Sequence, residues 1–207
     1  MTMVGVSKEK KAQRRRHIAE TALRLFAERG FDAVTVNEIA EAAGVAKVTL
    51  FNYFPSKEAL VLDVVEEDTA AVVAARAPDQ TPLAALRAHY LAFSERAAEV
   101  DVEQLMVRMR VIGQSPTLLA GVQRLRYGQR AALARALDGR ESCPAPDDLT
   151  DDLMADLMAA QIIATIQLLQ ETFFERLAAG MSLREAGERL RPDVERAFDL
   201  LERGHGS

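Results

Sequence analysis

The sequence predicts an all-α protein on the basis of three observations. The segments between its prolines are rich in Ala, Leu, Glu, Arg and Met, which are strong helix formers. No segment alternates apolar and polar residues between hairpin turns, as a half-buried strand would. The seven prolines fall where helices would be separated, namely at Pro55, Pro78, Pro82, Pro116, Pro144, Pro146 and Pro192.

Composition narrows the class of protein. The 207 residues are 49% apolar and 28% charged, which allows a sizeable core in a soluble chain. The single cysteine, Cys143, fits a reducing cytoplasm because it has no partner for an internal disulfide. No uncharged apolar run approaches the roughly 18 residues of a membrane helix. We therefore expect a cytoplasmic protein without a membrane partner.

Charge is unevenly distributed along the chain. Residues 1–60 carry ten Lys and Arg against seven Asp and Glu, whereas residues 61–207 carry sixteen against twenty-four. Six of the basic residues lie within residues 8–16, where Glu9 is the one acidic residue. This asymmetry indicates either a small polyanion-binding head on an acidic body or a solvated basic tail.

Three N-terminal helices are predicted from apolar spacing and from signals at their ends. They span Lys8–Arg29, Val36–Ala43 and Lys47–Tyr53. Gly30 follows the first as a C-cap glycine, Thr35 and Glu38 form a capping-box pattern before the second, and Pro55 follows the third. Two short helices joined by a tight turn that contains Gly44 are typical of a helix-turn-helix.

The remaining chain is predicted to form further helices, at about 56–76, 81–99, 101–113, 116–138, 147–179 and 182–203. The last two each carry a stripe at helical spacing. One stripe consists of Leu153, Leu157, Ala160, Ala164, Gln167 and Glu171, and the other of Leu183, Leu190, Val194, Phe198 and Leu201. Either stripe could form an interface between two copies of the chain or an intramolecular core.

The segment Phe31–Leu60 resembles the DNA-binding domain of the TetR/AcrR family of transcriptional regulators. Its sequence is FDAVTVNEIAEAAGVAKVTLFNYFPSKEAL, and the likeness covers about residues 10–62. The resemblance implies a helix-turn-helix domain with a basic arm over residues 1–57, and a helical effector-binding and dimerisation domain over 58–207. Members of this family are homodimeric DNA-binding proteins, mostly repressors, in which the last two helices form the dimer interface.

The third helix corresponds to the recognition helix of the family, which enters the major groove of an operator. Lys47 is expected to reach guanine O6 and N7 or a phosphate, and Thr49 a base edge or a thymine methyl. Val48 offers only an apolar contact. Phe51 stands where the family often has Tyr, so it lacks a hydroxyl for phosphate and keeps an apolar or thymine-methyl contact.

The resemblance also implies phosphate contacts around this helix. Asn52 and Tyr53 correspond to a pair that contacts the DNA backbone, and Lys57 to a phosphate clamp. Thr35 and Asn37 lie at the start of the second helix, where hydroxyl, amide and backbone N–H groups can meet phosphate. Thr35 could also act as an N-cap and Tyr53 could pack in the core. Asn37 and Lys57 could simply be solvated.

A pocket for a mostly apolar small molecule is expected among the middle helices. The candidate lining residues are Tyr90, Phe93, Met106, Met109, Ile112, Tyr127, Gln161 and Phe173. Methionine side chains suit irregular, adaptable cavities. Ordinary core packing would use the same residue types, and Gln161 could instead make a polar contact across a dimer.

No catalytic pattern accompanies these features. The three histidines are far apart in sequence, and neither H-E-x-x-H nor C-x-x-C occurs. Cys143 has no histidine near it in sequence. Four acidic residues at the start of a long helix complement its dipole without requiring a metal, and these are Asp147, Asp148, Asp151 and Asp152. We expect no enzyme activity, no metal and no cofactor.

The predicted function is ligand-responsive regulation of transcription, with repression as the expected sign. An effector in the body would move the helix beginning near Ser56 and change the separation of the two recognition helices. Half-sites lie about 34 Å apart, so a shift of a few ångströms would break simultaneous contact. The alternatives are a TetR-like DNA binder without a small-molecule effector and a helical protein–protein adaptor.

Overall fold

The computed structural model describes residues 3–63, 68–96, 101–138 and 149–205. The helices in these ranges are α1 Met3–Arg29, α2 Val36–Ala42, α3 Lys47–Tyr53, α4 Ala59–Leu62, α5 Thr69–Ala74, α6 Pro82–Arg96, α7 Val102–Gln114, α8 Pro116–Asp138, α9 Leu149–Ala178 and α10 Leu183–His205. The described residues contain no strand, and the predicted all-α class is confirmed.

Most helix limits agree with the sequence, but one predicted helix is wrong. α3 has the predicted limits, α2 ends one residue early, and α1 begins before the predicted start at Lys8. A continuous helix over 56–76 does not form, because Asp68 leaves helical geometry at φ −86° and ψ 75°. Its carboxylate accepts a hydrogen bond of 2.8 Å from the Ala71 N–H and caps α5. Asp is a favoured N-cap residue, so this signal was present in the sequence.

The prolines do not all separate helices. Pro82 and Pro116 occupy the first positions of α6 and α8, where a missing N–H is tolerated. Pro192 lies inside α10, so its interpretation as a helix separator is wrong. The flanking Leu190 and Val194 are 4% and 0% exposed, and their burial offsets the one intrahelical hydrogen bond that the ring removes.

Contacts between helices divide the chain into two compact units. The first comprises Met1–Glu67 with Glu103–Arg124, and the second comprises Asp68–Val102 with Leu125–Ser207. The first unit differs from the expected domain over residues 1–57, because apolar side chains of α7 and of the start of α8 are buried together with those of α1–α4. The functional boundary at residue 57 stays a prediction.

The core of the first unit is formed by aromatic and branched side chains. Its least exposed members include Ile18, Phe26, Ile39, Leu50, Phe54, Leu60 and Leu118. The ring centroids of Phe26 and Phe31 lie 5.0 Å apart. Full burial of one such side chain stabilises the fold by roughly 1.5–3 kcal/mol. This core determines how the short helices of the unit are oriented.

The second unit is held together mainly by α6, α9 and α10. The buried residues of the α10 stripe are Leu190, Val194, Phe198 and Leu201. The Phe198 ring lies 6.2 Å from that of Tyr90 on α6, measured between centroids. The intramolecular interpretation is therefore correct for these four residues, and a role of α10 in an interface between copies stays a prediction. Periodicity identifies an apolar face but not the helix that covers it.

The start of α2 carries the predicted capping box. The Glu38 N–H donates to the Thr35 hydroxyl at 3.3 Å, and the Thr35 N–H donates to the Glu38 carboxylate at 2.8 Å. Arg29 donates to the same carboxylate at 2.7 Å. The backbone and side-chain hydrogen bonds from Thr35, followed by the bond from Arg29, lower the pKa of Glu38 from 4.5 to about 2.

We predict that Glu38→Gln lowers the thermal unfolding midpoint at neutral pH, because the amide cannot replace the charged carboxylate. The pKa of Glu38 is depressed in the folded state, so its stabilisation is complete above pH 4.5 and is lost as pH falls through about 2. The difference in midpoint between wild type and variant, measured by circular dichroism, should shrink across that window. Glu41→Gln, an exposed carboxylate on the same helix, is the control. An equal difference at every pH would contradict this assignment.

Candidate nucleic-acid interface

Helix α3 is held by its buried side and by the turn that precedes it. Leu50 and Phe54 are 0% and 1% exposed, so they fix the inner side of the helix. Gly44 adopts φ +63°, a conformation that L side chains rarely adopt. The Val45 N–H donates to the Ala40 carbonyl at 2.9 Å and closes the turn. Two short helices and this turn confirm the predicted helix-turn-helix.

The outer side of α3 combines one cation with two exposed apolar groups. Lys47 and Asn52 are exposed, and Thr49 is half-buried. Val48 is 72% exposed and Phe51 is 42% exposed. Neither apolar side chain has a donor or an acceptor, so against a major groove each could contact only the thymine methyl or other carbon atoms. This face can therefore present polar and apolar contacts side by side.

Tyr53 and Lys57 are less free than surface side chains. The half-buried Tyr53 packs against the core of the first unit, as its structural interpretation proposed. The Lys57 Nζ lies 4.2 Å from the ring centroid of Phe31, a cation–π geometry. Burial lowers the pKa of Lys57, and the charge of Asp32 opposes that shift. The Lys57 ammonium group is thus held against the Phe31 ring and is not freely solvated.

Thr35 and Asn37 lie at the exposed start of α2. The Thr35 hydroxyl donates to the Glu38 carboxylate at 2.7 Å while it accepts from the Glu38 N–H. Its one proton is therefore committed, and donation to a phosphate would require a rearrangement of the cap. The N-cap interpretation of Thr35 is confirmed. Asn37 is exposed to solvent, where its amide can donate.

The contacts that Arg15 makes within the first unit could not be predicted from the sequence. Although it lies in the N-terminal basic run, its Nη1 donates to the Tyr53 carbonyl at 2.6 Å and its Nη2 pairs with the Asp63 carboxylate. Its guanidinium carbon lies 4.5 Å from the ring centroid of Phe54. The neighbouring Arg14 and Arg16 are exposed. No feature of the sequence distinguishes Arg15 from these two.

Asp32 was also missed as a structural residue. The Thr117 hydroxyl at the start of α8 donates to its carboxylate at 3.0 Å, and the Ser115 hydroxyl lies 3.4 Å away. These partners are 85 and 83 residues distant in sequence. Asp32 thereby connects the segment before α2 to the start of α8 within the first unit. A local pattern cannot identify such a distant pairing.

The pocket candidates are distributed over both units. The first unit contains Met106, Met109 and Ile112, and the second contains Tyr90, Phe93, Tyr127, Gln161 and Phe173. Ile112 is buried in the first core, and Met109 packs against it. In the second unit, the ring centroids of Phe93 and Phe173 lie 6.4 Å apart, whereas Tyr127 is 66% exposed. Ile112 and Met109 therefore pack in or against the first core, and the candidates of the second unit range from packed to exposed side chains.

Metal-ligating residues do not cluster in the described part of the chain. No group of three or more His, Cys, Asp or Glu side chains there could hold a metal ion. Cys143, Asp147 and Asp148 lie outside the described residues, and the side chains of Asp151 and Asp152 are not described either.

Known regulators resemble the chain in sequence. Residues 18–64 match the family of bacterial regulatory proteins described as the tetR family. The chain is 28% identical over 203 residues to the HTH-type transcriptional regulator TcmR of Streptomyces glaucescens, which covers 92% of this chain and 88% of TcmR. It is 34% identical over 134 residues to the transcriptional regulator MftR of Mycobacterium tuberculosis, which covers 63% of this chain and 67% of MftR.

Solved structures share the fold at low sequence identity. NalD, the secondary repressor of the MexAB-OprM multidrug efflux pump in Pseudomonas aeruginosa, superposes with a TM-score of 0.55 at 17% identity, covering 91% of this chain and 97% of NalD. The SmeT–triclosan complex gives the same TM-score and identity, covering 93% of this chain and 91% of SmeT.

The helix-turn-helix and its exposed helix α3 define a DNA-binding protein of the transcription-regulator class. The chain belongs to the TetR family of transcriptional regulators. Proteins of this family bind DNA and are not enzymes, in agreement with the expectation from the sequence.

Proposed function

We propose that this chain is a cytoplasmic repressor that binds a DNA operator as a homodimer and is released by a mostly apolar small molecule. The proposal of DNA binding rests on the exposed side of α3, a helix whose inner side is fixed by the buried Leu50 and Phe54. A firmly held helix with an exposed polar and apolar side fits a major groove. The buried inner side keeps the geometry of that contact constant.

Individual roles follow from exposure and chemistry. Lys47 donates to guanine O6 and N7 or to a phosphate, and Thr49 contacts a base edge. Val48 and Phe51 contact thymine methyls, because exposed apolar groups can recognise that one apolar feature of the major groove. Asn52 donates to the DNA backbone.

Phosphate contacts at the edge of the site come from the residues around α3. Lys57 reaches phosphate from its position above the Phe31 ring. Asn37 donates through its exposed amide, and Tyr53 through the hydroxyl of its half-buried side chain. Thr35 contributes only after its cap rearranges, because its hydroxyl proton and its backbone N–H are both donated to Glu38.

Homodimer formation is supported by a second apolar side of α9. Ile162, Ile166 and Phe173 are buried. The opposite side of the helix carries the exposed leucines Leu153, Leu157 and Leu168, together with the exposed Gln161 and Ala164. A helix that is apolar on both sides is normally covered on both. The stretch Leu153–Ala178 is also long and apolar enough to cross a membrane, and only 22% of its most apolar part is buried. A second copy of the chain accounts for this exposure in a DNA-binding protein.

A mostly apolar effector is supported by the residue types of the second unit. Phe93, Phe173 and Phe174 form successive edge-to-face contacts there, with centroids 6.4 and 5.8 Å apart. SmeT, which shares the fold, has been solved with triclosan. The test is reciprocity: a compound that weakens operator binding must itself bind the operator complex more weakly, by the same factor.

We predict that Lys47→Ala weakens specific operator binding by about 1–3 kcal/mol, because a bidentate contact to guanine is lost. Fluorescence anisotropy with the operator and with a scrambled duplex measures this loss. Arg184→Ala is the matched control, since it removes an equally charged and 74% exposed side chain from α10. Unchanged operator affinity in Lys47→Ala would remove this residue from the interface.

We predict that Leu157→Asp converts the dimer to a monomer, because a charge would be buried in the apolar interface. Light scattering should then give a mass of 22.7 kDa and a higher mass for the wild type. Leu119→Asp is the control, because Leu119 is 46% exposed on α8 and Leu157 is 47% exposed on α9. A variant that keeps the mass of the wild-type assembly would refute the α9 interface.

A further inference from the structure

Arg15 makes three contacts with other residues of the first unit. Its guanidinium donates to the Tyr53 carbonyl at 2.6 Å, pairs with the Asp63 carboxylate and lies 4.5 Å from the Phe54 ring centroid. We call this set of contacts the Arg15 clamp. A guanidinium presents its donors in a fixed fork, so it can hold a carbonyl and a carboxylate at once.

The clamp acts on the C-terminal end of the recognition helix. Tyr53 is the last residue of α3, and Phe54 is its C-cap. The last carbonyls of a helix have no partner within the helix, and Arg15 provides one for Tyr53 from α1. The adjacent Phe54 ring is held between the core and the guanidinium. The clamp thus fixes the helix end from which Asn52 and Tyr53 project.

Asp63 connects the clamp to α7. It is the C-cap of α4, and two residues earlier the Val61 carbonyl accepts a hydrogen bond of 2.8 Å from Arg108. Arg108 is 5% exposed. Burial lowers the pKa of Arg108, and the charge of Asp63 opposes that shift. The short helix α4 and its C-cap are therefore bound both by Arg108 of α7 and by Arg15 of α1.

We propose that Arg15 is a positioning residue for operator binding, which orients the C-terminal end of α3 through Tyr53 and Asp63 and does not contact phosphate. This inference rests on the proposed function of α3. Ion pairs at partly exposed sites contribute little by themselves, and Arg15 and Asp63 are 39% and 33% exposed. The effect on DNA binding comes from orientation: Asp63 holds the guanidinium fork in the position from which it donates to the Tyr53 carbonyl.

The test uses the full chain and a duplex that the wild type selects from random DNA, with a scrambled duplex as reference. Asp63→Asn is the decisive variant because it removes a negative charge. General electrostatics would make this variant bind DNA more tightly, whereas loss of the clamp should weaken specific binding by on the order of tenfold. Binding of the scrambled duplex should not fall, because it depends on charge and not on the orientation of α3.

Arg15→Lys and Arg15→Gln complete the test. Lysine keeps the charge but loses the fork, so it should weaken specific binding as Asp63→Asn does, with an unchanged slope of log affinity against log salt. Arg14→Gln and Arg16→Gln are matched controls that remove exposed charges on either side. Circular dichroism checks that each variant folds. If Arg15→Gln fails to fold, the positioning role is tested with Arg15→Lys and Asp63→Asn alone.

Two results would overturn the proposal. The first is specific binding by Asp63→Asn that equals or exceeds that of the wild type. The second is wild-type affinity in Arg15→Lys together with a salt slope in Arg15→Gln that falls by about one, as loss of a phosphate contact requires. If the wild type selects no duplex at all, the proposed DNA-binding function fails, and this inference fails with it.

Discussion

Burial of Leu50 and Phe54 is the constraint on which the DNA-binding surface depends. A helix of seven residues is too short to be stable in water by itself, so α3 exists because its inner side chains are packed in the first unit. Val48 and Phe51 can stay exposed on the other side because the helix does not need them for stability. The same packing therefore holds the inner side of α3 in place and leaves its outer side exposed.

Ion pairs within the first unit reduce the number of basic N-terminal side chains that are available to contact phosphate. Several of its cations are already engaged within the first unit: Arg15 with Asp63, Arg24 with Glu28, and Arg29 with Glu38. Lys57 is supported by the Phe31 ring and by Asp32. A count of basic residues therefore overstates the number of phosphate contacts. Part of the positive charge maintains the geometry of the site, and the exposed remainder is available to attract DNA.

Features that depend on neighbours in sequence could be predicted, and features that depend on distant partners could not. The limits of α3, the Gly44 turn and the capping box of Thr35 follow from residues a few positions apart. Arg15 reaches partners 38 and 48 residues away, and nothing local separates it from Arg14. The apolar stripe of α10 could be predicted from its helical spacing, but the packing of Phe198 against Tyr90 of α6 could not. The break before α5 also follows from a local signal, because Asp68 is a favoured N-cap residue.

Specific recognition of DNA by α3 can be tested by selection from random duplexes, followed by anisotropy over a series of salt concentrations. We expect enrichment of one sequence, bound at least roughly 10³-fold more tightly than its scrambled version, with an affinity that falls steeply as salt rises. Failure to enrich any sequence, with equal and weak binding of all duplexes, would contradict it.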